Sequence, residues 1–512
     1  MRHLLAIAVL SSLTSVAHAD PVASVSDPTK PASDTPLVVE PGPVPEFDPT
    51  KPDTDGTAPA PDRASGVVVA EEEPFSNTLR VVPRTLLFVP RWMFWGFAQP
   101  FRGAAYVYEK YSLQNRVKAT LFNDDGTYGV YPVASYSTDF GFDLGARFVH
   151  YDLFGERERI KLRANFGGRY QQAFGVELRS GDRFGKRVNA SIESLYEKRP
   201  DERFFGIGNA PMLTEMPADL IDPSLANTAI SSRFRENWFR TIAKLESRIA
   251  GPFTMRVSGA FAMREFADFA GRDPGDPFDS DDRDDFNLGI EQRFDTSKLV
   301  GYDRGVDNIY VETELIYDTR RPSTKYAPRV LDSAGWYASI HGGRAMGVSG
   351  DPTKFYRYGG EVQRYFDLYE GNRILTLRAL VDATTGGDGR TDSTISFIDL
   401  PRLGGAEFLR GYPEGRFRDK AVALGTAEYT WDLGNFLAAY TFVDVGRALP
   451  TLAALDDGGA DAWHVGFGGG VQVHTNASFL MRGQLAFSRE GDAFVELVFS
   501  PAFGRRERAG RY

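Results

Sequence analysis

The segment NRILTLRALVDA, Asn372–Ala383, puts Leu375, Leu377, Ala379 and Val381 on one face of an extended chain and Thr376, Arg378 and Asp382 on the other. Strand side chains alternate between faces, so one face suits lipid and the other water. NIYVETELIYD, Asn308–Asp318, repeats the pattern, with Ile309, Val311, Leu315 and Tyr317 opposite Glu312 and Glu314. Comparable runs lie near 140–152, 157–168, 170–181, 185–197, 236–250, 252–267, 284–295, 335–347, 354–368, 421–433, 435–446, 463–475, 478–489 and 493–503. With the two quoted, they make about sixteen strands. YGVYPVASYS, Tyr128–Ser137, would make the count odd. Single-chain bacterial barrels have even counts, so this run is read as a lead-in or the early part of the first strand.

Many runs reach roughly 10 to 13 residues, enough to cross a thin bilayer when tilted, whereas soluble sandwiches use shorter strands. The expected fold is therefore all-β: a transmembrane antiparallel β-barrel of sixteen strands over residues 113–512, with a lumenal loop at 387–420. Abundant Gly and aromatic residues with a mean hydropathy below zero suit a barrel whose lumen is polar.

The N-terminal region fixes the compartment. Residues 1–19 have a basic start at Arg2 and His3, an apolar run from Leu4 to Leu13, and the small-x-small site Ala17-His18-Ala19. This is a secretory signal, and the run is too short to span a bilayer. Residues 20–75, rich in Pro, Asp and Thr, cannot bury enough apolar area to fold and are read as a disordered periplasmic linker. Residues 76–112 contain Trp92 and Trp95 but are broken by Pro83, Pro90 and Pro100 and by Arg84, Arg91 and Arg102. They read as a short helical, amphipathic segment in the periplasm or at the membrane interface, or as a helix packed on the barrel.

The chain has no cysteine, so neither disulfides nor thiolate chemistry contribute. A formal net charge of -10 with dispersed basic residues speaks against nucleic acid as a partner. No Gly-x-Ser-x-Gly elbow, His-Glu-x-x-His helix or Walker loop is present, and His150 and His341 are isolated. The acidic run GRDPGDPFDSDDRDDFN, Gly271–Asn287, lacks the Gly and Glu spacing of an EF-hand and reads as a solvated loop. No enzymatic activity, cofactor or metal is expected.

The connection after Asn372–Ala383 is long and holds EFLRGYPEGRFRD, Glu407–Asp419, with Arg410, Arg416 and Arg418. Its aromatic and aliphatic residues need something to pack on, so it folds back into the lumen. Leu409-Arg410-Gly411-Tyr412 resembles the arginine-glycine-aromatic signature of the sixth extracellular loop in BamA/TamA-type barrels, the bacterial surface antigen family. FVDVG, Phe442–Gly446, is similar to that family's strand motif two strands later, and RFFGIGNAP, Arg203–Pro211, and PRLGG, Pro401–Gly405, also match it. Phe442, Asp444 and Gly446 share one face, so an inward Asp444 can take the Arg410 guanidinium while Gly446 leaves room for the loop backbone. Glu428, inward in GTAEYTW, is a second carboxylate for Arg410.

The resemblance implies sixteen strands, a weak seam between the first and last, and a role in outer-membrane biogenesis as a protein insertion or translocation factor of a Gram-negative bacterium. It also implies outer-membrane lipid and lipopolysaccharide around the wall, client outer-membrane or secreted proteins, and a periplasmic partner. Residues 20–111 are too short and Pro-rich for the tandem polypeptide-transport (POTRA) domains that receive clients in the family. Pro501 interrupts the last strand, AFVELVFSPAF, and Tyr512 follows it where family chains end on an aromatic. The alternative is a passive diffusion channel gated by the Arg-rich loop. A surface-adhesion role and a rim lipase are further alternatives.

Overall fold

The computed structural model describes residues 120–137, 140–209, 231–269, 289–322, 331–387, 394–434, 437–474 and 479–498. The signal 1–19, the linker 20–75, the segment 76–112, the acidic run 271–287 and residues 499–512 lie outside the described residues.

Among the described residues nineteen strand segments occur, of which three are two-residue pieces: Arg321–Pro322, Arg402–Leu403 and Phe417–Arg418. The other sixteen form the wall. They are β1 Tyr128–Ser137, β2 Gly141–Tyr151, β3 Arg159–Gly167, β4 Tyr170–Arg179, β5 Val188–Phe204, β6 Ser232–Ala250, β7 Phe253–Asp268 and β8 Val306–Asp318. The second half comprises β9 Asp332–Gly347, β10 Lys354–Asp367, β11 Arg373–Gly386, β12 Ala421–Gly434, β13 Leu437–Leu449, β14 His464–His474, β15 Phe479–Ser488 and β16 Ala493–Val498. Each pairs antiparallel with the next in sequence, and β1 meets β16 through Tyr136↔Leu497 and Ser137↔Glu496.

The two-residue rhythm sorts side chains by solvent. Along β8, Ile309, Val311 and Leu315 are exposed while Tyr310, Glu312 and Glu314 are buried. In β11, Leu377 and Val381 point outward while Thr376, Arg378 and Asp382 are buried. Outward apolar and inward polar residues invert the order of a water-soluble sheet, as a lipid surround requires. Inside, the charges are paired: Arg378 Nε donates to Glu361 Oε1 at 2.7 Å and Arg357 Nε to Asp382 Oδ1 at 2.9 Å.

Two expected elements differ. Tyr128–Ser137 is the whole first strand, paired along its length with β2 from Tyr128↔His150 to Ser137↔Gly141. Pro132, which lacks a donor, stands opposite Ala146 of β2 within that register. Conversely, the described part of the run at 284–295 is not a wall strand, since Ile290–Arg293 is a single helical turn; 284–288 lie outside the described residues. Gly289 N–H donates to Gln292 Oε1 at 3.0 Å, while Ile290 sinks into a cluster with Phe204, Phe234, Leu299, Tyr302 and Phe397. Aromatic packing outweighs the local alternation there. The exchange leaves the total at sixteen.

At the end where β1 begins, several connections are short: 251–252, 368–372, 435–436 and 475–478. The opposite end carries 205–231, 269–305, 387–420 and 450–463. Outer-membrane barrels place short turns in the periplasm and longer loops outside, which sets the sidedness.

Candidate functional site

The loop 387–420 leaves β11 after Gly386 and returns at Ala421. Arg402–Leu403 pairs with Phe417–Arg418, so its inner part is a hairpin. Leu403, Leu409, Tyr412 and Phe417 pack against Leu380, Val422, Leu424 and Ala448 of the wall. Farther along, Phe397 and Ile398 join the aromatic cluster of Phe204, Phe234 and Tyr302. These contacts fix the hairpin's depth and so decide which wall residues its tip meets.

At the tip, Arg410 is buried and meets two carboxylates. Its Nε donates to Asp444 Oδ2 at 2.7 Å and its Nη2 to Asp444 Oδ1 at 2.8 Å, a bidentate fork. The backbone N–H of Arg410 also donates to Asp444 Oδ2 at 2.9 Å. Its third nitrogen, Nη1, donates to Glu428 Oε2 at 2.7 Å. Arg482 Nη2 donates to the same Glu428 oxygen at 2.6 Å, so two cations and two anions close into a neutral group. The Arg410 guanidinium lies 3.5 Å from the Phe442 ring centre, and that of Arg482 lies 3.5 Å from Tyr440. Burial pulls the Arg410 pKa down, but Asp444 and then Glu428 hold it above its usual range. The guanidinium stays charged.

Backbone approach is managed by glycine. Gly411 has φ 93°, and a Cβ there would lie 2.4 Å from Phe487 O. A Cβ on Gly466 of β14 would sit 1.7 Å from the Arg410 carbonyl oxygen. Gly466, not Gly446, is thus where the loop backbone comes closest; Gly446 makes room for Leu403, whose Cδ1 would be 3.0 Å from a Cβ.

Around the tip, Arg169 Nη1 donates to Glu414 Oε2 at 2.8 Å and Arg402 Nη2 to Glu414 Oε1 at 3.2 Å. Burial raises the Glu414 carboxyl, yet Arg169 and Arg402 bring it down to about 2. Tyr412 donates its hydroxyl to Glu490 and, at 3.2 Å, to Val465 O. His464 stacks on Phe417 at 3.8 Å and reaches Glu490 Oε1 at 3.0 Å and Asn209 O at 2.9 Å. Gly208 N–H donates to Arg418 O at 2.6 Å, tying the stretch after β5 to the hairpin.

Arg410, Gly411, Tyr412, Phe442, Asp444 and Glu428 therefore meet at one place, with Gly446 beside them. Sequence reasoning did not single out Arg482, Tyr440, Gly466 or His464. Arg482 carried a signal, as the one charge in FLMRGQLAF, Phe479–Phe487. Between the loop and the wall a polar cavity of about 380 Å³ remains, lined by Arg199, Glu236, Trp238, Arg264 and Asp399 among others.

Sixteen antiparallel strands, apolar outside and polar within, around an inward hairpin pinned by its arginine, define a transmembrane β-barrel with an anchored lumenal loop. The chain belongs to the Omp85 superfamily, whose domain matches residues 152–500. Comparison with curated proteins gives no match. Among solved structures it is similar to BamA from Haemophilus ducreyi lacking POTRA domains 1-3, at 13% identity over 73% of this chain and 70% of that one, TM-score 0.48. It is also similar to CdiB from Acinetobacter baumannii (10% identity, 72% and 59%, TM-score 0.40). CdiB from Escherichia coli matches at 9% identity over 72% and 62%, TM-score 0.42.

Proposed function

We propose that this protein works in outer-membrane biogenesis of a Gram-negative bacterium, inserting or translocating other proteins. The observation that carries the reading is the contrast in strand pairing. β5 and β6 pair from Val188↔Ser247 to Phe204↔Ser232, whereas among the described residues, which end at Val498, β1 and β16 share Tyr136↔Leu497 and Ser137↔Glu496. Unpaired N–H and C=O groups on a strand edge template further strands, and a membrane gives them no water to bond instead. A client strand entering at this seam would satisfy them without any covalent step, so the activity needs no cofactor. Partners would be client outer-membrane or secreted proteins and a periplasmic protein that delivers them.

The reading of a passive channel gated by the loop has less support. Arg410 is pinned by two carboxylates, and Arg418 is buried, donating to Phe397 O at 2.9 Å. Neither is positioned as a selectivity ring along an open path.

The test uses the absence of native cysteine. Tyr136→Cys with Leu497→Cys staples the seam when oxidised. The stapled protein should fold yet fail to support assembly of other barrels in depleted cells, with reductant restoring activity. Full activity with the staple closed, together with steady single-channel conductance, would favour the channel.

A further inference from the structure

The stretch HVGFGGGVQVH, His464–His474, leaves the inner face of β14 bare where a strand ordinarily carries side chains, with Gly466, Gly468 and Gly470 at successive inward positions. The gap is occupied from both sides. Gly466 admits the Arg410 backbone, and a Cβ on Gly470 would lie 2.6 Å from the Tyr440 hydroxyl, so glycine there lets Tyr440 cross from β13 over β14 to β15. That hydroxyl donates to Gln484 Oε1 at 3.1 Å.

Both polar atoms of the Gln484 amide are engaged, and three different elements engage them. Oε1 accepts from Tyr440 of β13, while Nε2 donates to Ala406 O of the hairpin at 3.3 Å and to Glu496 Oε2 of β16 at 2.5 Å. Gln484 and Glu496 are buried, where such bonds hold more firmly than in water. Two residues earlier on the same face, Arg482 lies against the Tyr440 ring and bonds Glu428, which in turn holds Arg410. Glu496 stands opposite Ser137 of β1 in the seam. Contacts thus run without a break from Arg410 to the strand that closes the wall.

We infer that Gln484 is a positioning residue that couples the hairpin to β16: Ala406 O and Tyr440 fix its amide, and the amide fixes Glu496 where β16 meets β1. The use of this coupling rests on the reading of the seam as the place where client strands enter; the coupling itself does not. Linkage makes it reciprocal, so holding the seam closed steadies the hairpin by the factor with which the hairpin steadies the seam. Contact alone does not establish this, and the effect has to be read at one place while the other is changed.

The measurement uses the full chain carrying Tyr136→Cys and Leu497→Cys, reduced or oxidised, and follows amide hydrogen exchange over Arg402–Arg418 by mass spectrometry. Oxidation should slow exchange in the hairpin about tenfold, within the range usual for coupled sites. Gln484→Leu should remove this dependence on the staple. Gln363→Leu deletes another buried amide, bonded to Glu361 and Tyr365 within β10, and should keep the dependence, which separates coupling from general loosening of the wall. Should Gln484→Leu fail to reach the heat-resistant form, Glu496→Leu tests the same bond from the other strand, with the same loss expected. Equal exchange with the staple open and closed overturns the proposal. So does a staple effect that survives Gln484→Leu or Glu496→Leu at full size, or one that Gln363→Leu abolishes equally. Assembly of other barrels is a separate readout: full activity with the seam stapled would sink the client reading and leave the coupling standing, while a staple that is silent at the hairpin would do the reverse.

Discussion

At the loop tip, Arg410, Arg482, Asp444 and Glu428 bond one another inside the lumen, while across the seam β1 and β16 share two residue pairs among the described residues. The first region satisfies its buried charges several times over. The second joins its strands, among the described residues, through those two pairs. Bonding is dense at the hairpin tip and sparser across the seam among the described residues, so the two regions should respond differently to the same perturbation.

The largest effect is expected from removing one charge of the lock. Arg410→Ala leaves Asp444 buried without its fork, a loss of about 3–5 kcal/mol for a broken buried pair. The heat-induced mobility shift on gels should move to clearly lower temperature. Arg410→Lys should recover little, since one ammonium cannot reproduce the fork to Asp444 together with the bond to Glu428. If the lock contributed nothing, both variants would melt with the parent.

Next comes steric pressure. Gly466→Ala drives a methyl into the Arg410 carbonyl, at a cost of about 1–3 kcal/mol or more. Gly425→Ala, whose Cβ would meet only Val445 O at 3.9 Å, should be close to neutral by the same gel assay. Equal melting of the two would mean that the loop does not press on β14.

Acid offers a milder lever. The folded Glu414 pKa, about 2, lies below its ordinary 4.5, so its contribution is complete above about 4.5 and is lost as pH falls through about 2. Protease nicking of the loop should increase across that window, and Glu414→Gln should flatten the dependence. A profile identical in Glu414→Gln would assign the acid sensitivity to other carboxylates. The smallest change expected is that of Tyr412→Phe, which removes the bonds to Glu490 and Val465 O for about 1 kcal/mol.

What the sequence revealed followed the physics available to it. Alternation in β8 and β11 was legible because two different solvents select opposite residue types at successive positions. The inward set Asp444, Glu428 and Phe442 was legible for the same reason, since parity along a strand assigns the face. Tyr128–Ser137 was read as a lead-in or the early part of the first strand because the run at 284–295 already filled an even count, and a local pattern does not contain the cluster that takes up Ile290. Gly466 and Arg482 needed the contact itself: nothing near them in the chain says that the Arg410 carbonyl or the Glu428 carboxylate will arrive. Gly446 shows the limit from the other side, since its small size was legible and its neighbour, Leu403, was not.

The hydrogen bond from Gly208 to Arg418 joins the stretch after β5 to the anchored hairpin, and those of Asn209 with Ala448 and His464 join it to β13 and β14, at the end of the wall opposite the short turns. Whatever displaces residues 205–209 therefore strains the hairpin and two wall strands together, and the three should loosen as one body.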